Sequence, residues 1–219
     1  TFTDVQTHED RLSQPMKWRK PRRVFVNSMS DLFHDAVPDS FIAQMFNVMA
    51  ECPQHTFQIL TKRADRMQRL LAGPKRHDQW TPKMWHREVL PNVWLGVSVE
   101  NQRCADDRIP MLLRTPAAVR FLSCEPLLEG LDLAKHRPGA NRLWVIVGGE
   151  SGPKARPCEV KWIRSVVRQC QQSDTPVFVK QLGTKVLDCN DAGFEGDAPG
   201  SWPMDTDIEE HINGYREDY

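Results

Sequence analysis

The sequence predicts an α/β fold: a single domain arranged as a parallel β/α barrel or partial barrel of the TIM type, with a loop-rich C-terminal tail. Three observations carry the prediction. Short β-branched and aromatic runs alternate with longer segments of helical spacing, at intervals that suit β/α units. Several of these runs are apolar on both faces, as strands covered by helices should be. Three successive runs end in a glutamate, Glu100, Glu125 and Glu150, which puts polar groups at the carboxyl edge where β/α folds collect their chemistry.

A polar, charged lead-in covers residues 1–22 and ends in Lys17-Trp18-Arg19-Lys20-Pro21-Arg22. It reads as a solvated approach to the first strand or as an anchor for phosphate or nucleic acid. Strand-like runs follow at 23–28, 56–61, 93–99, 119–124, 143–148 and 176–181, within a β/α region of residues 23–183. Between them, Phe41, Ile42, Met45, Phe46 and Met49 share one face of a helix over Asp39–Glu51, with Pro38 suited to its first turn. Met67, Leu70 and Leu71 mark a second helix over 65–72, closed by Gly73-Pro74. A helix at 106–114 is interrupted or delayed by Pro110. Trp162, Ile163, Val166, Val167 and Cys170 mark another over 158–172. Residues 74–91 read as an insertion, either a lid or an irregular crossover. Residues 184–219 read as the tail. Six strands fall short of a closed eight-stranded barrel, and a doubly wound sheet is the other arrangement that the spacing allows.

The chain has 219 residues, enough for one α/β domain with a sizeable core. Lys plus Arg and Asp plus Glu both number 29, so the formal net charge is zero and no global field advertises a nucleic acid or a membrane. No apolar run approaches the roughly 20 residues of a membrane helix. The six cysteines form no CxxC pair and read as scattered, reduced thiols, which points to a cytoplasmic protein. The chain opens on Thr1 rather than Met, and upstream residues are expected to have been lost.

Alternation along the strands places Gly96, Ser98 and Glu100 on one face, Phe121, Ser123 and Glu125 on another, and Glu150 with Gly148 and Ile146. Small or polar residues beneath each carboxylate predict a lumen that admits a ligand. The other strand ends add Asn27, Ser28 and Asp31, then Lys62 and Arg63, then Lys180. The expected mouth sets Asp31, Glu100, Glu125 and Glu150 against Lys62, Arg63 and Lys180, a mixed-charge site able to orient a zwitterion or an anion and to transfer protons. The glutamates equally suit helix N-caps or first turns. Gly148-Gly149 allows either a close ligand approach or positive φ. It is neither a dinucleotide fingerprint nor a Walker loop.

Five segments together resemble a phage-associated bacterial family of largely unassigned function, sometimes described by an N-terminal three-cysteine motif. They are Val24-Phe25-Val26-Asn27-Ser28-Met29-Ser30-Asp31-Leu32-Phe33, Leu60-Thr61-Lys62-Arg63, Asn92-Val93-Trp94-Leu95-Gly96-Val97-Ser98-Val99-Glu100-Asn101, Phe121-Leu122-Ser123-Cys124-Glu125-Pro126-Leu127 and Val147-Gly148-Gly149-Glu150-Ser151-Gly152. The resemblance runs from residue 12 to residue 181. It implies a radical S-adenosylmethionine (SAM) type of enzyme on a partial or complete β/α barrel. The full-length protein would hold a 4Fe-4S cluster through cysteines upstream of the region matching Arg23. The resemblance would put Ser98 and Glu100, or Gly148-Gly149-Glu150, near SAM. This chain departs from the family in having no three-cysteine motif.

Three functions therefore compete. One is the radical SAM-like enzyme. The second is a hydrolase or lyase using Mg²⁺ or Mn²⁺ held by Asp31, Glu100, Glu125 and Glu150. The third is a non-catalytic module that binds a partner protein or nucleic acid through the basic lead-in. The substrate, whether a small molecule or a nucleic acid, is left open.

Overall fold

The computed structural model describes residues 5–72, 89–136 and 143–187. Six strands form one sheet: β1 (Arg23–Val26), β2 (Thr56–Thr61), β3 (Val93–Ser98), β4 (Val119–Cys124), β5 (Leu143–Gly148) and, after β6 (Cys158–Glu159), β7 (Val177–Gln181). β6 pairs separately with β8 (Val186–Leu187). The β1–β2, β2–β3 and β5–β7 ladders are parallel. Strand order in the larger sheet follows chain order throughout. A doubly wound sheet must reverse its order at a switch point. Monotonic order is instead the winding of a partial β/α barrel. The chain divides into two compact units, residues 1–98 with 106–121 and residues 99–105 with 122–219.

In the first unit, α1 (Asp39–Glu51) buries Ile42, Phe46 and Met49 of the face its spacing predicts, together with Ala43, while Phe41 and Met45 are half-buried; Pro38 is at the N-cap. β1 stops at Val26, two residues short of the predicted run, because Asn27 turns the chain with φ 57°. The turn is closed by the Ser30 amide on the Asn27 carbonyl (3.0 Å). Two polar residues tie the loops down from inside. Arg66, on α2 (Ala64–Ala72), is nearly buried and donates to the carbonyls of His34 and Val37 and to Asp39 Oδ1 (2.6 Å). Buried Asn92 reaches the carbonyls of Met49, Cys52 and His55, which serves the end of α1 and the turn after it. β3 is buried along its whole length. The space beside Gly96 is filled by the Phe121 ring, which a Cβ at that position would overlap. The small residue below Ser98 therefore seats an aromatic side chain, not a ligand, contrary to the expected open lumen.

α3 (Gln102–Arg114) runs unbroken through Pro110, despite the donor that proline removes. Full burial of Ala105, Ile109 and Leu112 offsets that loss. In the second unit, Asn101 Oδ1 caps the start of α3 by accepting from the Cys104 amide (2.8 Å). α4 (Val160–Gln172) begins two residues after the predicted start, because Cys158 and Glu159 pair with β8 instead. α4 buries Val160, Ile163, Val166, Val167 and Cys170. The tail read from the sequence as loop thus begins with a strand, and its remainder, 188–219, lies outside the described residues. So does most of the 74–91 insertion. No helix among the described residues is long and apolar enough to cross a membrane.

Candidate functional site

The expected strand-end residues fall into both units, and each group has its own chemistry. In the first unit Asp31 links the carboxyl ends of β1 and β2. Its Oδ1 accepts from the Phe33 amide (2.9 Å) and the Thr61 hydroxyl (2.7 Å). Its Oδ2 accepts from the Lys62 amide (3.1 Å) and from Arg63 (3.0 Å). Four donors occupy this largely buried carboxylate, whose work is to hold two strand ends together. Lys62 serves here through its backbone. Arg63 also lies 3.9 Å from Asp35. Asn27 donates to the Ser30 hydroxyl (2.8 Å), and Ser28 is exposed. Ser98 is buried, and its carbonyl accepts from Arg108 (2.7 Å).

In the second unit three glutamates follow the ends of β3, β4 and β5. Glu100 is buried, and its carbonyl accepts from the Leu128 amide (2.9 Å). Its negative charge contributes to raising the Arg156 pKa, behind the hydrogen bond from that guanidinium to Glu150. Glu125 is held by side chains from the end of β7: Lys180 Nζ lies 3.1 Å from Oε2, and Gln181 Nε2 donates to Oε1 at 3.1 Å. Gln181 also donates to the Gly149 carbonyl (3.2 Å). Glu150 takes a forked pair from Arg156, with Nε to Oε2 at 2.7 Å and the second guanidinium nitrogen to Oε1 at 3.0 Å. The Arg156 amide adds a third bond (2.8 Å). These bonds, the side-chain pair first, hold the Glu150 pKa down to about 2 from its ordinary 4.5.

Gly148 and Gly149 are needed for packing. A Cβ on Gly148 would lie 2.9 Å from the Gln181 carbonyl oxygen, and one on Gly149 would overlap the Leu182 carbonyl. The backbone is closed here by bonds from Gly149 to Gln181 (3.0 Å) and from Thr184 to Glu150 (2.8 Å), with Gly183 at φ +91° beside them. The two glycines admit another stretch of chain rather than a ligand. Sequence reasoning did not single out Gln181, Arg156 or Thr61. Arg156 had no local signal, since the loop after Glu150 folds back through Gly152 at φ +111° to bring it round. Thr61 was legible only as the polar end of an apolar strand.

Among the described residues no group of three or more His, Cys, Asp or Glu is placed to hold a metal ion. Cys52, Cys104, Cys124, Cys158 and Cys170 are free thiols, and Cys189 lies outside the described residues. Burial pushes the Cys170 thiol up to about 12 and the Cys124 thiol higher still.

The arrangement defines an α/β protein of partial β/α-barrel winding, with ion-paired carboxylates at the carboxyl ends of its strands. The chain belongs to the family described as protein of unknown function (DUF5131), whose model matches residues 1–199. No curated protein and no solved structure matches it.

Proposed function

We propose that the chain is a cytoplasmic, phage-associated enzyme that binds a small zwitterionic molecule at the carboxyl ends of β4 and β7. The observation that carries this reading is the convergence of Glu125, Lys180 and Gln181. Lys180 is 54% exposed while Glu125 is only 16% exposed, so the ammonium end can swing out as the carboxylate stays fixed. A zwitterion can then exchange into the pair, its ammonium on Glu125 and its carboxylate on Lys180. Gln181, bonded to both Glu125 and the Gly149 carbonyl, fixes where that carboxylate points.

Of the two groups the sequence resemblance implies, SAM fits this charge pattern, since its methionyl end is such a zwitterion. When bound, SAM would supply an activated sulfonium group. The iron–sulfur cluster does not fit the described cysteines: four of the five are buried, and no three gather. No electron-transfer step is therefore assigned to these residues. For the metal-assisted reading, no observation among the described residues speaks in its favour, and Asp31 already accepts four hydrogen bonds.

The test is calorimetric titration of SAM, S-adenosylhomocysteine and methionine, alongside iron and sulfide analysis of anaerobically purified full-length protein. Binding of all three that falls at least roughly tenfold in Lys180→Ala and Glu125→Gln supports the site, that loss being about 1.4 kcal/mol. Absence of binding, or binding indifferent to both variants, rejects it. Iron-free full-length protein that resists reconstitution rejects the radical SAM type while leaving the zwitterion site standing.

A further inference from the structure

We infer that the first unit carries a separate surface for single-stranded nucleic acid, along the outer edge of β1. Between Asp10 and Asp31 the chain has six cations, Arg11, Lys17, Arg19, Lys20, Arg22 and Arg23, and no acidic residue. The balanced total charge conceals this local excess. Lys17, Arg19, Lys20 and Arg22 are exposed.

This strip is held in place rather than loosely solvated. Buried His55 fastens both its ends. His55 Nδ1 accepts from the Arg22 amide (3.2 Å), which leaves Nε2 to carry the proton and donate to the Pro15 carbonyl (3.0 Å). Trp18 packs edge-on against the His55 ring, with centroids 5.6 Å apart, and the Arg22 guanidinium lies 4.7 Å from the centre of the indole. Fixing the strip before binding lowers the ordering cost of a charged ligand.

A groove lies beside the strip. It has a volume of about 990 Å³ and a mixed lining, apolar at Leu12, Trp18, Phe25 and Met29 and polar at Arg11, Asn27, Ser28, Asp31 and His34 among others. Phe25 is 46% and Met29 79% exposed, a large apolar display for residues at the end of a sheet. β1 is the terminal strand of that sheet and pairs only with β2 among the described residues. Cations beside exposed aromatic and thioether side chains match a polymer of phosphates and flat bases. Phosphates face Lys17, Arg19 and Lys20, while bases enter the groove against Phe25 and Met29. A duplex hides its base faces and would leave the groove unused. An acidic peptide would use the charges and leave the apolar side chains bare. A lipid surface calls for protruding apolar groups, whereas these line a concavity.

The experiment is fluorescence anisotropy of the whole chain with a labelled, mixed-sequence DNA strand of about 12 nucleotides, in salt from about 50 to 200 mM. The competitors are the same DNA as duplex, polyglutamate, and phosphatidylserine vesicles. Single-stranded DNA should bind, with a log–log salt slope near −2 for three phosphate contacts at about 0.7 each. Arg19→Glu with Lys20→Glu should weaken it by roughly tenfold or more. Phe25→Ala should weaken it roughly fivefold or more, with polyglutamate binding unchanged. Should Phe25→Ala lower the melting temperature, Met29→Ser, at a more exposed position, takes its place. Lys180→Ala should leave DNA binding intact, which separates this surface from the zwitterion site. No binding at low salt overturns the inference. So does equal affinity for duplex, polyglutamate or vesicles, or apolar variants that bind DNA as wild type does.

Discussion

Asp31 in the first unit and Glu125 in the second use the same device, a carboxylate at a strand end, in opposite ways. In the first, Asp31 is saturated by two backbone amides, a threonine hydroxyl and Arg63. In the second, Glu125 faces the tips of two side chains, one belonging to an exposed lysine. A carboxylate bonded to backbone cannot change partners without unfolding its loop. One bonded to a long exposed side chain exchanges partners at little cost, because such pairs contribute about 0–1 kcal/mol. What separates a structural carboxylate from an available one is thus the mobility of its donors.

The largest test of that contrast is Asp31→Ala, which strands several donors at once and should destabilise the protein by about 3 kcal/mol in urea unfolding. A loss below about 1 kcal/mol would erase the distinction between the two carboxylates. Gly149→Ala comes next. Its methyl group would displace the Leu182 carbonyl, and overpacking against backbone should cost about 2–3 kcal/mol by the same measurement. A neutral result would reopen a ligand-binding role for the glycine pair. Lys180→Ala should change stability by no more than about 0.5 kcal/mol while weakening zwitterion binding roughly tenfold or more, so calorimetry and denaturation should part company there.

The smallest effect is in acid. Since folding lowers the Glu150 pKa from 4.5 to about 2, the contribution of its pair with Arg156 is present above about 4.5 and is lost as pH falls towards 2. Arg156→Ala should therefore flatten the decline of melting temperature across that window and leave its shape at neutral pH unchanged. An unaltered acid limb would show that the pair does not set it.

Much of this molecule could be read directly from the chain. The helix α1 buries Ile42, Phe46 and Met49 of the face its spacing marks, and β2 to β5 occupy the runs that alternation or continuous apolarity picks out. These elements were legible because hydrophobic periodicity and β-branching act over a few neighbouring residues. The failures were local as well. Pro110 counts against a helix only until burial of Ile109 and Leu112 is set beside it. The glycines beneath and beside the glutamates looked like room for a ligand, and only the positions of Phe121 and Leu182 show that protein fills it.

By itself, then, the sequence determined the α/β class, the succession of strands and helices, and the carboxylates that would cap successive strands, since each depends on short-range pattern. Tertiary structure alone decided which carboxylates are occupied and by what. Asp31 meets Thr61 thirty residues away, Glu125 meets Lys180 fifty-five away, and His55 grips Pro15 across forty. The physical reason is that hydrogen bonds and ion pairs are decided by distances of about 3 Å, which chain folding sets and local sequence does not encode.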